Sequence, residues 1–141
     1  LIALSRDGGA TWTQQAKIYA GSFFGVLEPT PASVLVYGLG GHVFLSTDDA
    51  RTWTASRLPQ PLSMFGGTVL ADGRVVLVGA QETVLVSADG GRSFTLTSQA
   101  DRGSMDTVLA LGGGRVLAAG MYGVHLERAA GKAAAATGAG S

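Results

Sequence analysis

One short motif occurs three times at a fixed distance in this 141-residue chain. It occupies residues 5–12 (SRDGGATW), 46–53 (STDDARTW) and 87–94 (SADGGRSF), each copy beginning 41 positions after the last. A period of about 40–45 residues restricts the chain to architectures that stack one supersecondary unit on the next.

The motif itself reads as a turn between two strands. β-type runs precede it at residues 1–4, 42–45 and 83–86, and Thr-rich runs follow it at 12–13, 53–54 and 94–97. An Asp in such a turn accepts hydrogen bonds from backbone N–H groups further along and so fixes the bend. Its glycines supply positive φ angles. The predicted structural residues are Ser5, Asp7, Gly9, Thr11 and Trp12 in the first copy and Ser46, Asp48, Thr52 and Trp53 in the second. In the third they are Ser87, Asp89, Gly91, Ser93 and Phe94. Trp12, Trp53 and Phe94 are expected to pack between neighbouring repeats. In the middle copy Asp49 and Ala50 replace the two glycines, which predicts a turn that is strained or differently shaped.

Read at this period, the chain is all-β and predicts β-propeller blades of four antiparallel strands. Residues 1–18 supply a half blade, 22–58 and 64–98 one blade each, and 105–128 a three-stranded last blade. Within the two full blades, residues 33–37 (SVLVY) and 74–78 (RVVLV) correspond and read as strands buried on both faces. Inner strands are expected at 23–27, 67–70 and 107–111. A fourth motif would begin at Arg128 but does not follow, and residues 129–141, rich in Ala and Gly, predict a disordered tail. The total is about three and a quarter blades, below the four to eight with which such rings close, so further N-terminal blades of the same chain are the expected partners of these.

Ten basic residues balance ten acidic ones, which gives no electrostatic case for nucleic acid or an anionic membrane surface. No apolar run approaches the roughly 20 residues of a spanning helix, so direct membrane insertion is not predicted. Cysteine is absent, which removes disulfides, thiolate metal sites and cysteine nucleophiles.

Candidate chemistry is sparse. His42 and His125 read as equivalent third-strand positions without the spacing of a metal site, and no metal or cofactor is predicted. Glu28, Glu82 and Glu127 are the glutamates from which a glycosidase pair would be drawn, and Tyr19, Tyr37 and Tyr122 the tyrosines available to a sialidase-type nucleophile. Tyr37 falls in a buried-strand pattern. Arg51, Arg57, Arg92 and Arg102 are read either as solvated edge charges or as a basic rim for a partner. No catalytic residue is assigned.

The three motif copies resemble the Asp-box, or bacterial neuraminidase repeat. As whole repeats, residues 36–46 and 77–91 are most similar to the photosystem II stability/assembly factor family and its bacterial relatives. That resemblance implies a seven-bladed propeller exported to the periplasm or thylakoid lumen. It would act there as a non-catalytic scaffold for a protein partner, either a membrane-protein complex or an envelope protein. It also implies that the box is a structural turn rather than a site. The alternative is a fragment of an Asp-box glycoside hydrolase, sialidase-like or xyloglucanase-like. Both tryptophans stand in box positions, which leaves few platforms for sugars and favours the scaffold.

Overall fold

A computed structural model describes residues 1–129. The three 3–5-residue apolar runs of each repeat become strands because β-branched and aliphatic residues pack well on a pleated, buried surface. They are separated by turns that carry Gly, Asp or Ser. The strands are β1 (Ala3–Leu4), β2 (Thr13–Gln14), β3 (Phe23–Leu27), β4 (Val34–Gly38), β5 (Val43–Ser46), β6 (Thr54–Ala55) and β7 (Met64–Val69). They continue with β8 (Val75–Gly79), β9 (Val84–Ser87), β10 (Thr95–Ser98), β11 (Met105–Ala110), β12 (Arg115–Gly120) and β13 (Gly123–Arg128). They form four antiparallel sheets: β1–β2, β3–β4–β5–β6, β7–β8–β9–β10 and β11–β12–β13. Short 3₁₀ turns at Leu39–Gly41 and Gly112–Gly114 are the non-strand elements among the described residues, and no described helix is long and apolar enough to cross a membrane.

The core lies between the sheets. Leu35, Tyr37, Val43 and Leu45 of one sheet pack on Met64, Val75, Leu77, Leu85 and Phe94 of the next. Val76, Val78, Val84 and Val86 then pack on Met105, Val108, Val116 and Ala118 of the last. The second strand of each complete sheet is therefore buried on both faces, as its unbroken apolar run implies. On the far face of the last sheet, Leu109, Leu117 and Leu126 form one exposed cross-strand row.

Each inner strand carries the same β-bulge. The register shifts between Phe23 and Gly25, between Met64 and Gly66, and between Met105 and Thr107, one period apart each time. Beside each bulge the carbonyl of Ser22, Ser63 or Ser104 accepts a hydrogen bond from Leu39, Ala80 or Met121 at 2.9–3.0 Å. A Cβ on Gly38, Gly79 or Gly120 would stand within 2.0–2.1 Å of that same carbonyl oxygen, so glycine is required where the two chains cross.

Several boundaries differ from those expected of the sequence, each for a structural reason. The inner strands of the third and fourth sheets begin at Met64 and Met105, earlier than the expected starts at 67 and 107. Gly66, left outside the expected strand, sits inside it where inner strands converge: a Cβ on Gly66 would lie 2.8 Å from the Thr107 Cα. The hairpin between β12 and β13 closes on Gly120 and Gly123, one residue tighter than its counterparts. Val116 consequently pairs with Glu127 as Val75 pairs with Ser87, so Glu127, not Arg128, occupies the position where a fourth box would begin. The histidines are not equivalent: His42 precedes β5, whereas His125 lies within β13 and pairs with Ala118 as Phe44 pairs with Val36. Ala129, assigned to the tail, is buried and donates its N–H to the Gly114 carbonyl at 2.9 Å. The rest of the expected tail, residues 130–141, lies outside the described residues.

Candidate functional site

The three box turns share one hydrogen-bond pattern. The Ser5, Ser46 and Ser87 hydroxyls donate to Oδ1 of Asp7, Asp48 and Asp89 at 2.8, 2.8 and 2.7 Å. Those hydroxyl oxygens accept the N–H of Gly9, Ala50 and Gly91 at 2.8–2.9 Å. Each Asp Oδ1 then accepts the N–H of Thr11, Thr52 or Ser93 at 2.8–2.9 Å, and Oδ2 accepts the same residue's hydroxyl at 2.5 Å.

These bonds favour the ionised carboxylates. The Thr11 and Thr52 hydroxyls, then their N–H groups, hold Asp7 and Asp48 at about 2. Partial burial pushes Asp89 up, but the bonds from Ser93 and Ser87 outweigh it and leave Asp89 also at about 2. A carboxylate with both oxygens engaged and a pKa that low is poorly matched to proton transfer near neutral pH. The box aspartates hold turns.

The middle box is strained rather than reshaped. Asp49 and Ala50 take φ of 62° and 63° where Gly90 and Gly91 take 75° and 96°, and the hydrogen bonds are kept. L-residues in this region cost about 1–2 kcal/mol each. The aromatics diverge. Phe94 is 5% exposed against the preceding sheet, Trp53 is half-buried, and Trp12 is 65% exposed with its indole N–H on the Gly9 carbonyl. Phe94 and Trp53 each face the sheet before their own, whereas no described sheet precedes β1–β2, so the expectation of an inter-sheet Trp12 is not met.

Two other regions gather side chains with no role in these turns. The first is the inner edge, where the bulges place Phe24, Phe65 and Asp106 in register. The Phe24 and Phe65 rings lie 5.5 Å apart, and Phe24 is 47% exposed. Asp106 accepts the Ser104 hydroxyl at 2.7 Å.

The second is the end of the sheets opposite the boxes, because β5 and β9 each run from one end to the other. Here Tyr19 stacks on His42 with centroids 3.8 Å apart, backed by Phe23 and Phe44. One sheet further on, Glu82 is 7% exposed and its Oε1 lies 3.9 Å from Nε of Arg102. Arg102 in turn lies over the Tyr122 ring, 4.9 Å from its centroid.

The structure separates the other candidates. Glu28 follows β3 and Glu127 lies near the end of β13, both toward the box end, whereas Glu82 is at the opposite end. Tyr37 is buried, and desolvation pushes its phenol up. The Arg57 N–H donates to the Arg92 carbonyl at 2.9 Å beside the third box, while Arg102 stands at the far end, so the four arginines do not form one rim. Among the described residues no group of three His, Asp or Glu is placed to hold a metal ion. Motif reading misses both the inner-edge row and the Glu82–Arg102 contact. Aligning the repeats at their 41-residue offset brings both out.

No protein-family model matches this chain, and no curated protein matches it. Among solved structures it is similar to an ancestral GH74 enzyme, with TM-score 0.64 and 14% identity over 86% of this chain and 20% of that one. It is also similar to YCF48 bound to D1 peptide, with TM-score 0.53 and 14% identity over 83% of this chain and 42% of that one. The chain thus spans less than half of either neighbour. The likeness is one of fold: the antiparallel sheets of this chain, each built inner strand to outer and stacked face to face, are β-propeller blades.

Proposed function

We propose that this chain is part of a β-propeller that holds a polypeptide partner and carries out no chemistry itself. The observation that carries this reading is the pair of rings at the inner edge. Phe24 and Phe65 come from bulges in adjacent inner strands and stand side by side, partly open to solvent. An aromatic pair set on rigid strands is suited to anchoring an apolar or extended segment. The similarity to a propeller bound to a peptide supports the same reading. The finer proposal is a photosystem II assembly factor or a bacterial envelope relative of one, working in the thylakoid lumen or periplasm on a membrane-protein complex or envelope protein. In that setting the open Leu109–Leu117–Leu126 row takes further blades of the same protein.

The test replaces Phe24 and Phe65 together with Ser and compares affinity capture from source cells with the wild type. The reading expects a specific protein partner whose recovery falls on the order of tenfold in the variant, at an unchanged melting temperature. Undiminished recovery contradicts it. Release of reducing ends from xyloglucan or of sialic acid from a sialoside by the wild type assigns the protein to hydrolysis instead.

A further inference from the structure

The repeats differ sharply at one contact. In the second sheet the turn before β5 contains Gly40 and Gly41, with φ of 65° and 76°, and a Cβ on Gly41 would lie 2.6 Å from the Cα of Pro61. One period along, Gln81 and Glu82 replace the glycines at φ of 57° and 47°, and Arg102 replaces Pro61. A close Gly–Pro packing contact has become a carboxylate facing a guanidinium.

As a purely structural contact this exchange is unfavourable. It puts two L-residues in the left-handed region where glycine serves next door. It also buries a carboxylate without adequate partners: Glu82 Oε1 accepts no hydrogen bond from any described residue, and Arg102 Nε at 3.9 Å is beyond hydrogen-bond reach. The Arg102 guanidinium lies instead over Tyr122. That ring is braced by Gly103, at φ 59°, where a Cβ would approach it to 2.5 Å. Strain of this kind persists where the surroundings hold it in place, and it concentrates at sites that bind.

A carboxylate beside the face of a tyrosine is a receptor for a planar cation. Arg102 fills it incompletely, reaching the ring but not bonding the carboxylate. We propose that Glu82 and Tyr122 form a binding site for an arginine side chain of the polypeptide partner, with Arg102 as the resident side chain it displaces. An incoming guanidinium can stack on the ring and donate two parallel N–H bonds to Glu82, which a lysine ammonium cannot do. The inference rests on the reading of this chain as a polypeptide-binding surface and gives that surface a sequence preference.

The experiment titrates the full chain with the peptide Ac-Gly-Arg-Gly-NH₂ and follows the Tyr122 ring and Glu82 side-chain resonances by NMR. Its lysine and citrulline counterparts serve as matched probes. The expected result is a saturable shift at both residues with the arginine peptide, a weaker one with lysine and none with neutral citrulline. Glu82→Gln should weaken binding on the order of tenfold. Arg102→Ala should tighten it by roughly 3–10-fold, because a competing internal ligand has gone. A merely structural ion pair predicts no tightening. Equal shifts with arginine and citrulline, no shift at Tyr122, or weaker binding by Arg102→Ala would overturn the proposal. The wild-type arginine and citrulline arms stand even where a variant fails to fold. Failure here alongside loss of partner capture by the Phe24/Phe65 variant removes the arginine site and leaves the scaffold reading intact.

Discussion

The Cβ position of Gly91 lies 2.7 Å from Cδ1 of Leu35, a residue of the preceding sheet. The box turn therefore does more than reverse the chain: its second glycine is the point at which one sheet seats against the next. Gly91→Ala adds a methyl to a filled contact at φ 96°. The expected cost is about 1–3 kcal/mol from overpacking, with backbone strain added, and a denaturant titration with an unchanged midpoint would refute it.

The strained middle box gives a prediction of opposite sign. Asp49→Gly relieves a left-handed L-residue and loses only the exposed ion pair with Arg6, so it should raise stability by roughly 0.5–1 kcal/mol. A lowered melting temperature would show that the Arg6 contact outweighs the strain.

Acid should loosen the turns. Asp89 sits at about 2 when folded, against about 3.9 in an unfolded chain. A depressed carboxylate contributes stability that is complete above the unfolded value and is lost as pH falls through the folded one. Stability should thus decline from about pH 4 toward pH 2. Asp89→Ala should cost about 1–2 kcal/mol at pH 7 and flatten part of that decline. Parallel pH profiles for wild type and variant would contradict the assignment.

Phe94→Ala and Trp12→Ala should separate cleanly. The first deletes a buried ring from the inter-sheet core and should cost about 3–5 kcal/mol. The second removes an exposed ring and should stay within about 0.5 kcal/mol in this chain. Equal losses would mean that the two box aromatics occupy the same environment.

How much is legible in sequence follows from what repeats and what does not. The 41-residue spacing of Asp7, Asp48 and Asp89 exposes the sheets, and the apolar runs at residues 33–37 and 74–78 expose their buried second strands, because both are local signals. Trp12 misleads because burial depends on the neighbouring sheet, which motif identity does not encode. The inner strand starts at Met64, before the expected 67, because Gly66 serves a close backbone approach rather than a boundary. Phe24 and Phe65 carry no motif, and only the bulges bring them together. Glu82 reads like any surface glutamate unless its position is set against Gly41 and that of Arg102 against Pro61.

The central claim is that the inner edge holds a polypeptide. We would place a photoreactive phenylalanine analogue at position 65 and, as a control, at position 95 on the exposed outer strand β10, then irradiate in source cells and identify adducts by mass spectrometry. The account predicts a discrete protein adduct from position 65 that is absent from position 95. No protein adduct at 65, or the same adducts at both positions, would contradict it.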